Sequence, residues 1–215
     1  MSMVDAFLAP VMTEVLLTAL ARLRTEGPSA PLRIGSPWLS DIPLFPGIFA
    51  GSFPFLLPGV DALEVASLLD FLKTWRKNGG EVTLLVQGYD PLAHPQKNVV
   101  TFNTQELRLL ERCLDTGMEV LFGQSFHDRF IVAPDVVLSG SVNGTYPGLD
   151  RNRETLTLHT RSSSPRDYAS ALAVCENHLA SARHMGVCRP PRANAGIAQH
   201  TSIQEIRRCY STSWR

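Results

Sequence analysis

The sequence predicts an α/β domain, a sandwich in which helices flank a central mixed sheet. Up to about residue 122, segments whose apolar residues recur at helical spacing alternate with short β-prone runs. Beyond that point, β-prone runs follow one another before a last helical segment. The 215 residues suit one domain of ordinary core size with a small appendage. We expect right-handed crossovers between the parallel strands, whereas the strand order stays open.

The first predicted element is a helix over Val11–Arg24, where apolar residues recur at helical spacing. Gly27 and Pro28 end it, because neither residue continues a helix well. We interpret residues 1–27 as a docking or dimerisation helix at the start of a single domain that extends to residue 182.

A first strand is predicted at Leu32 and Ile34, leaving its carboxyl end in the polar run 36–40, Ser-Pro-Trp-Leu-Ser. Residues 42–58 then form a long loop rich in Pro, Gly and Phe. Loops of that length are often functional, so a packed lid is one interpretation. A hydrophobic loop buried under a neighbouring helix is the other.

Two helix–strand units follow. The first pairs a helix over Asp61–Trp75, with Asp61 as the N-cap, with a strand over Val82–Val86. The second pairs a helix over Thr104–Leu114 with a strand over Met118–Phe122. This alternation is typical of strands joined by helical crossovers.

The next elements are predicted as a tight hairpin, a further strand and a last helix. Phe130–Val132 and Val136–Leu138 are β-prone runs on either side of the turn cluster Ala133-Pro134-Asp135. Thr155–His159 has the pattern of another strand, and Pro165–Ser181 that of a helix. The antiparallel hairpin makes the predicted sheet mixed.

Composition excludes several classes of protein. The 20 basic residues balance the 20 acidic ones, so the chain lacks the positive charge of a protein that coats nucleic acid. Met1–Leu20 is apolar, but Asp5, Pro10 and Glu14 interrupt it, which fits neither a signal peptide nor a membrane span. We therefore expect a cytoplasmic protein that does not associate with membranes.

The cysteines and histidines lack the spacing of a metal site. No two cysteines form a Cys-x-x-Cys pair, and no histidines form a His-x-His pair. The four cysteines are Cys113, Cys175, Cys188 and Cys209. We expect reduced, structural thiols, no bound metal and no cofactor.

The polar ends of the predicted hairpin are the strongest candidate site. His127 and Arg129 share a parity at the start of the first strand, so both side chains can project to one face. Gly140, Ser141 and Asn143 lie where the return strand ends, and the two ends of a hairpin meet in space. An imidazole, a guanidinium and hydroxyl, amide and backbone donors would converge there. This combination is suited to a phosphodiester.

Three neighbouring residues complete the candidate site. Glu154 opens the next strand, where its carboxylate would orient the imidazole and hold its tautomer. Ser125 immediately precedes the hairpin and would line the rim. Tyr146 would either stack on a base or sugar or simply pack in its loop.

The stretch from His127 resembles the HKD motif of the phospholipase D superfamily, in which His-x-Lys and an Asp precede Gly-Ser-x-Asn and a more distant Glu. Here Arg129 stands in place of the lysine, and Asp135 falls one position late. The interval from His127 to Gly140 is one residue shorter than in the family. The 36–40 run is similar to the Ser-Pro-aromatic strand end of phospholipase D-like domains.

This resemblance implies a mechanism with two imidazoles and no metal. One imidazole attacks phosphorus to form a phosphohistidine, and the other protonates the leaving oxygen and then activates water. Because the chain carries the motif once, the resemblance implies a homodimer in which both copies of His127 face one phosphate. Arg129, Ser141 and Asn143 would bind its oxygens, and Glu154 would support His127.

We therefore interpret the chain as a phosphodiesterase, with a metal-independent nuclease acting on DNA or RNA as the leading hypothesis. It is also similar to phospholipase D-like components of phage-defence and DNA-modification islands, which would make other proteins of such a locus its partners. One alternative is a nucleic-acid-binding subunit in which Arg129 holds phosphate without turnover. Another is a lipid phosphodiesterase.

The segment 183–215 is predicted to be a basic C-terminal tail. It holds six arginines against one glutamate, or about five net positive charges. Such a cluster could neutralise the phosphates of a nucleic acid. A solvated tail without a binding role is the alternative.

Overall fold

The computed structural model describes residues 8–44, 66–88, 104–124, 126–141, 144 and 155–184. The helices within these ranges are α1 (Leu8–Glu26), α2 (Leu68–Lys77), α3 (Thr104–Asp115) and α4 (Pro165–Ser181). The strands are β1 (Leu32–Gly35), β2 (Val82–Gly88), β3 (Glu119–Gln124), β4 (Arg129–Ala133), β5 (Val136–Gly140), β6 (Leu156–Thr160) and β7 (Arg183–His184).

These strands form a single sheet in the order β6-β5-β4-β1-β2-β3-β7. β1, β2 and β3 run parallel to one another. β4 is antiparallel to β1, and the pairs β4–β5, β5–β6 and β3–β7 are antiparallel as well. The mixed sheet confirms the predicted α/β fold class. The strand order, which the sequence left open, makes β1 the boundary between the parallel and antiparallel parts.

The larger hydrophobic core lies between the sheet and α1, α2 and α3. Leu16 and Leu20 of α1 are completely buried in it, together with Trp75 of α2. Burying one such leucine contributes about 1.5–3 kcal/mol, so this packing holds α1 firmly. Of the two roles predicted for this helix, the structure shows docking on the sheet of its own chain. Its apolar face is therefore not available as a dimer surface.

α4 covers the opposite face of the sheet over a smaller core. Tyr168 and Cys175 are its buried residues, and they pack with Phe130 and Val137 of the hairpin. Burial raises the pKa of the Cys175 thiol to about 12, and it does the same for Cys113 in the larger core. Both thiols are free and neutral at physiological pH, as predicted for structural cysteines.

The predicted N-cap of α2 was wrong. The helix begins at Leu68, and Ser67 caps it by accepting a hydrogen bond from the Asp70 amide at 3.3 Å. Tertiary contacts decide this start, because the Leu68 amide donates to the Ile42 carbonyl at 2.8 Å. Asp61, the predicted cap, lies outside the described residues.

The sheet extends two residues into the segment assigned to the basic tail, since β7 pairs with β3 through Leu121↔His184 and Phe122↔Arg183. The remaining tail, 185–215, and most of the predicted 42–58 loop lie outside the described residues. Among the described helices, none combines the length and apolar character needed to cross a bilayer.

Candidate functional site

β4 and β5 form the predicted hairpin, with a two-residue turn at Pro134 and Asp135. Asp135 takes a positive φ of 62°, a conformation that Asp tolerates better than most residues. The register runs from Ala133↔Val136 at the turn to Arg129↔Gly140 at the open end. The start of the first strand and the end of the second therefore meet, as predicted.

Side chains alternate between the two faces of the sheet as the chain enters β4. Phe126 and Phe130 are buried in the smaller core beneath α4. Asp128 points to the same side and pairs with His178 of α4 at 2.5 Å. Arg129 instead lines a cavity on the α1 side, next to Met12. The site-facing and α4-facing residues are thus interleaved.

Arg129 is half-buried, and its Nη1 donates a hydrogen bond to the carbonyl oxygen of His127. The guanidinium consequently folds back over the backbone of the residue two positions earlier. His127 itself is exposed to solvent. The cation and the imidazole-bearing residue are held next to each other at the open end of the hairpin.

Gly140 and Ser141 join this end of the hairpin to the start of β6. The Ser141 amide donates to the Thr155 carbonyl at 3.0 Å, and the Thr155 amide donates to Ser141 Oγ at 3.0 Å. A side chain at Gly140 would overlap the Thr155 carbonyl oxygen, so only glycine permits this approach. Both residues therefore have a structural task, because they hold Thr155 beside the open end of the hairpin.

Ser36, which sequence reasoning did not include in the site, ties the loop after β1 to the end of the Gly-Ser-x-Asn run. Its Oγ accepts a hydrogen bond from the Gly144 amide at 2.9 Å and donates to the Trp38 carbonyl at 2.5 Å. The Ser40 amide donates to the Gly144 carbonyl at 2.8 Å, and Leu39 forms a parallel bridge with Gly144. The available signal in the sequence was the Ser36-Pro37-Trp38 run, which is similar to the Ser-Pro-aromatic strand end of phospholipase D-like domains.

β1 brings this loop to the same edge of the sheet as the candidate residues. Gly35, its last residue, is paired with Phe130, the neighbour of Arg129. Trp38, three positions further on, is 39% exposed, which is unusual for a large aromatic side chain. An exposed aromatic surface therefore borders the open end of the hairpin.

The structure brings together four of the eight predicted site residues. These are His127, Arg129, Gly140 and Ser141. The other four lie outside the described residues, so their convergence on the site stays a prediction. They are Ser125, Asn143, Tyr146 and Glu154.

The other described histidines with side-chain contacts belong to the scaffold. His159 Nε2 lies 3.3 Å from Ser139 Oγ between β5 and β6. His178 contacts Asp128 from α4. Within the described ranges, no group of three or more His, Cys, Asp or Glu side chains could hold a metal ion.

Comparison with known proteins identifies the family. Residues 56–173 match the family model described as cardiolipin synthase, PLD-like domain, which is more than half of the chain. No curated protein is significantly similar to the chain.

Two solved structures are similar in fold. Nuc from Salmonella typhimurium, a phospholipase D family member, is 14% identical, with a TM-score of 0.51 over 80% of this chain and 88% of that one. NucT from Helicobacter pylori is also 14% identical, with a TM-score of 0.45 over 81% of this chain and 94% of that one. At such low identity, the likeness to Nuc supports the fold alone.

Proposed function

The chain belongs to the phospholipase D superfamily of phosphodiesterases, and we propose that it is a metal-independent nuclease. The observation that carries this proposal is the register of the hairpin, Arg129↔Gly140. It brings His127-Asp128-Arg129 beside Gly140, which opens the Gly-Ser-x-Asn run and pairs with Leu156 at the start of β6. This register supports the proposal, because it holds the candidate nucleophile and the cation beside Gly140 and Ser141.

In the proposed reaction, the His127 imidazole attacks phosphorus. A phosphorus–nitrogen bond forms, and the bond to the leaving oxygen breaks as a second imidazole protonates that oxygen. Water, deprotonated by the second imidazole, then cleaves the phosphohistidine and restores His127. Arg129, Ser141 and Asn143 bind the phosphate oxygens, and Glu154 orients His127.

The second imidazole is that of His127 in another copy of the chain. The sequence contains the motif once, so one copy supplies half of the acid–base chemistry. The apolar face of α1 is buried in its own core. The proposed dimer therefore forms around the open end of the hairpin, across a twofold axis, rather than through α1.

Nucleic acid is the substrate class that the surroundings of Arg129 favour. The exposed Trp38 offers a surface on which a base can stack, an interaction of about 1–3 kcal/mol.

The second candidate is a nucleic-acid-binding subunit of a defence or DNA-modification complex. It is favoured by arginine in place of the family's lysine, because a guanidinium binds phosphate well but does not release a proton. In that case the site holds a phosphate without cleaving it, and other proteins of the complex supply the chemistry.

Cleavage of labelled single- and double-stranded DNA in EDTA tests the proposal. We expect His127→Ala to lower kcat by at least about 10³-fold. His159→Ala is the matched control, because it removes a scaffold imidazole on β6 and should leave kcat within about twofold. DNA binding without cleavage, unaffected by His127→Ala, would identify the binding subunit. Preferential hydrolysis of phosphatidylcholine analogues would identify a lipid phosphodiesterase.

The composite site requires a dimer, which light scattering at micromolar concentration measures directly. Mixing active chain with excess inactive His127→Ala should lower the activity per active chain, because mixed dimers hold one imidazole. A monomeric chain with full activity would contradict the shared site.

A further inference from the structure

His178 lies in the last turn of α4 and contacts the segment that leads into β4. Its Nε2 is 2.5 Å from Asp128 Oδ2. Its ring meets the edge of Phe126 at a centroid distance of 5.3 Å and stacks on Phe130 at 6.5 Å, with only 16° between the planes. One imidazole therefore contacts three alternate residues of a single segment.

The residues between these contacts are His127 and Arg129. Along an extended chain, alternate side chains point to opposite sides. Holding residues 126, 128 and 130 against α4 therefore fixes the backbone from which the two candidate site residues project. α4 thus contacts this part of the site from behind, without contributing a side chain to it.

We propose that His178 and Asp128 are positioning residues that hold His127 and Arg129 in register for phosphoryl transfer. The inference rests on the proposed function. His178 acts through Asp128 and the two phenylalanines and does not touch the phosphate. Nothing in the HKD motif assigns a task to the residue between its histidine and its cation, or to the helix behind it.

The exposure of the pair predicts the kind of effect to expect. The side chains of His178 and Asp128 are 32% and 62% exposed. A polar contact this exposed contributes little to the free energy of unfolding. The orientation of a reacting group is much more sensitive, because a misplacement of about 1 Å can cost about 10²-fold in rate. Losing the pair should therefore lower turnover while the fold survives.

Arg33 and Glu176 offer a matched control. Glu176 is also on α4, two positions before His178, and pairs with Arg33 of β1. Glu176→Gln removes a carboxylate from an ion pair that links the same helix to the same sheet. This pair does not involve the segment 126–130, so its loss should leave turnover within about twofold.

The experiment is a double-mutant cycle on the full chain with a DNA substrate. We expect His178→Ala and Asp128→Ala each to lower kcat about 10- to 100-fold with little change in KM. The double variant should be no slower than the slower single variant, because Asp128 acts through its contact with His178. His178→Gln, which keeps a donor, should recover part of the loss. Single variants with wild-type kcat, or effects that simply add, would overturn the inference.

Amide hydrogen exchange makes the inference independent of activity. Exchange at residues 127–129 should be at least about tenfold faster in His178→Ala and unchanged in Glu176→Gln. If the wild-type chain had no cleavage activity but the variants showed this exchange pattern, the proposed function would be wrong, whereas the positioning contact would be supported. Unchanged exchange in His178→Ala would overturn the positioning role. Should His178→Ala fail to fold, His178→Gln and Asp128→Asn give the same comparison.

Discussion

The two ends of the β4–β5 hairpin carry charge for different purposes. At the turn, the Asp135 carboxylate pairs with Arg22 of α1 and with Arg161 after β6, each at 3.1 Å. At the open end, Arg129 bonds to the carbonyl of His127, whose side chain is exposed. A five-residue strand, about 13 Å long, separates the two ends. The hairpin therefore separates two kinds of charged group. The ion pairs at the turn join three elements of the fold, and the groups at the open end are the ones to which we assign catalysis.

This contrast bears on the Asp of the HKD-like pattern. Asp135 was the residue that matched it, one position late, and it lies at the turn rather than near His127. Its contacts with Arg22 and Arg161 connect the hairpin to α1 and to the end of β6. We conclude that Asp135 stabilises the fold. Substitutions at Asp135 should therefore affect stability, whereas substitutions at the open end should affect activity.

Of the three variants that compare the two ends of the hairpin, Gly140→Ala should have the largest effect, because it disturbs the packing at the open end. The new methyl group would overlap the Thr155 carbonyl, a backbone atom that cannot rotate away. We expect a loss of about 3 kcal/mol in the free energy of unfolding, measured by urea denaturation. Ser139→Ala, the neighbouring position, should cost about 1 kcal/mol or less. A Gly140→Ala chain as stable as wild type would show that β5 and β6 do not approach this closely.

The next effect concerns Arg129. Replacing it with alanine removes a charged donor to phosphate, worth about 1.5–3 kcal/mol, so kcat/KM should fall about 10- to 100-fold. Arg129→Lys keeps the charge and should retain most of the binding. Arg166→Ala, which removes an exposed arginine of α4, is the control and should have no such effect. Equal losses in the alanine variants would mean that general charge, and not the site, holds the substrate.

The smallest effect is expected at the turn. Asp135→Asn abolishes two partly exposed ion pairs but keeps a residue that tolerates positive φ. The unfolding free energy should fall by about 0.5–1 kcal/mol at low salt, and by less at high salt, where such pairs are screened. DNA cleavage should be unchanged. A large loss of activity would show that the turn, like the open end, contributes to catalysis.

Local sequence signals predicted most of the elements. Pro165–Ser181 was predicted with the bounds that the structure shows, because a proline suits the first helical turn. The start of α2 could not be chosen in the same way, since Asp61 and Ser67 are both good N-caps. Ser67 is the cap because Ile42 and Asp41 accept the first amides of the helix at 2.8 and 2.9 Å. Those acceptors come from another part of the chain.

The contacts of the candidate site likewise differ in how far they could be predicted from local sequence. The meeting of His127 and Arg129 with Gly140 and Ser141 followed from a hairpin whose partners are neighbours in sequence. The contribution of Ser36 could not be predicted in this way, because its partner Gly144 lies 108 residues away in the sequence. The contact of His178 with Asp128 was not predictable either, because the two residues lie about fifty positions apart in the sequence.

The sequence by itself determined most of the helices and strands, and the meeting of His127 and Arg129 with Gly140 and Ser141 at the open end of the hairpin. These features depend on periodicity and on turn residues within a few positions, which act before the chain is compact. Only the tertiary structure decided the strand order, the docking of α1 and the contact of α4 behind the site. Those choices depend on which apolar surfaces bury one another once distant segments are brought together, and no local pattern encodes that pairing.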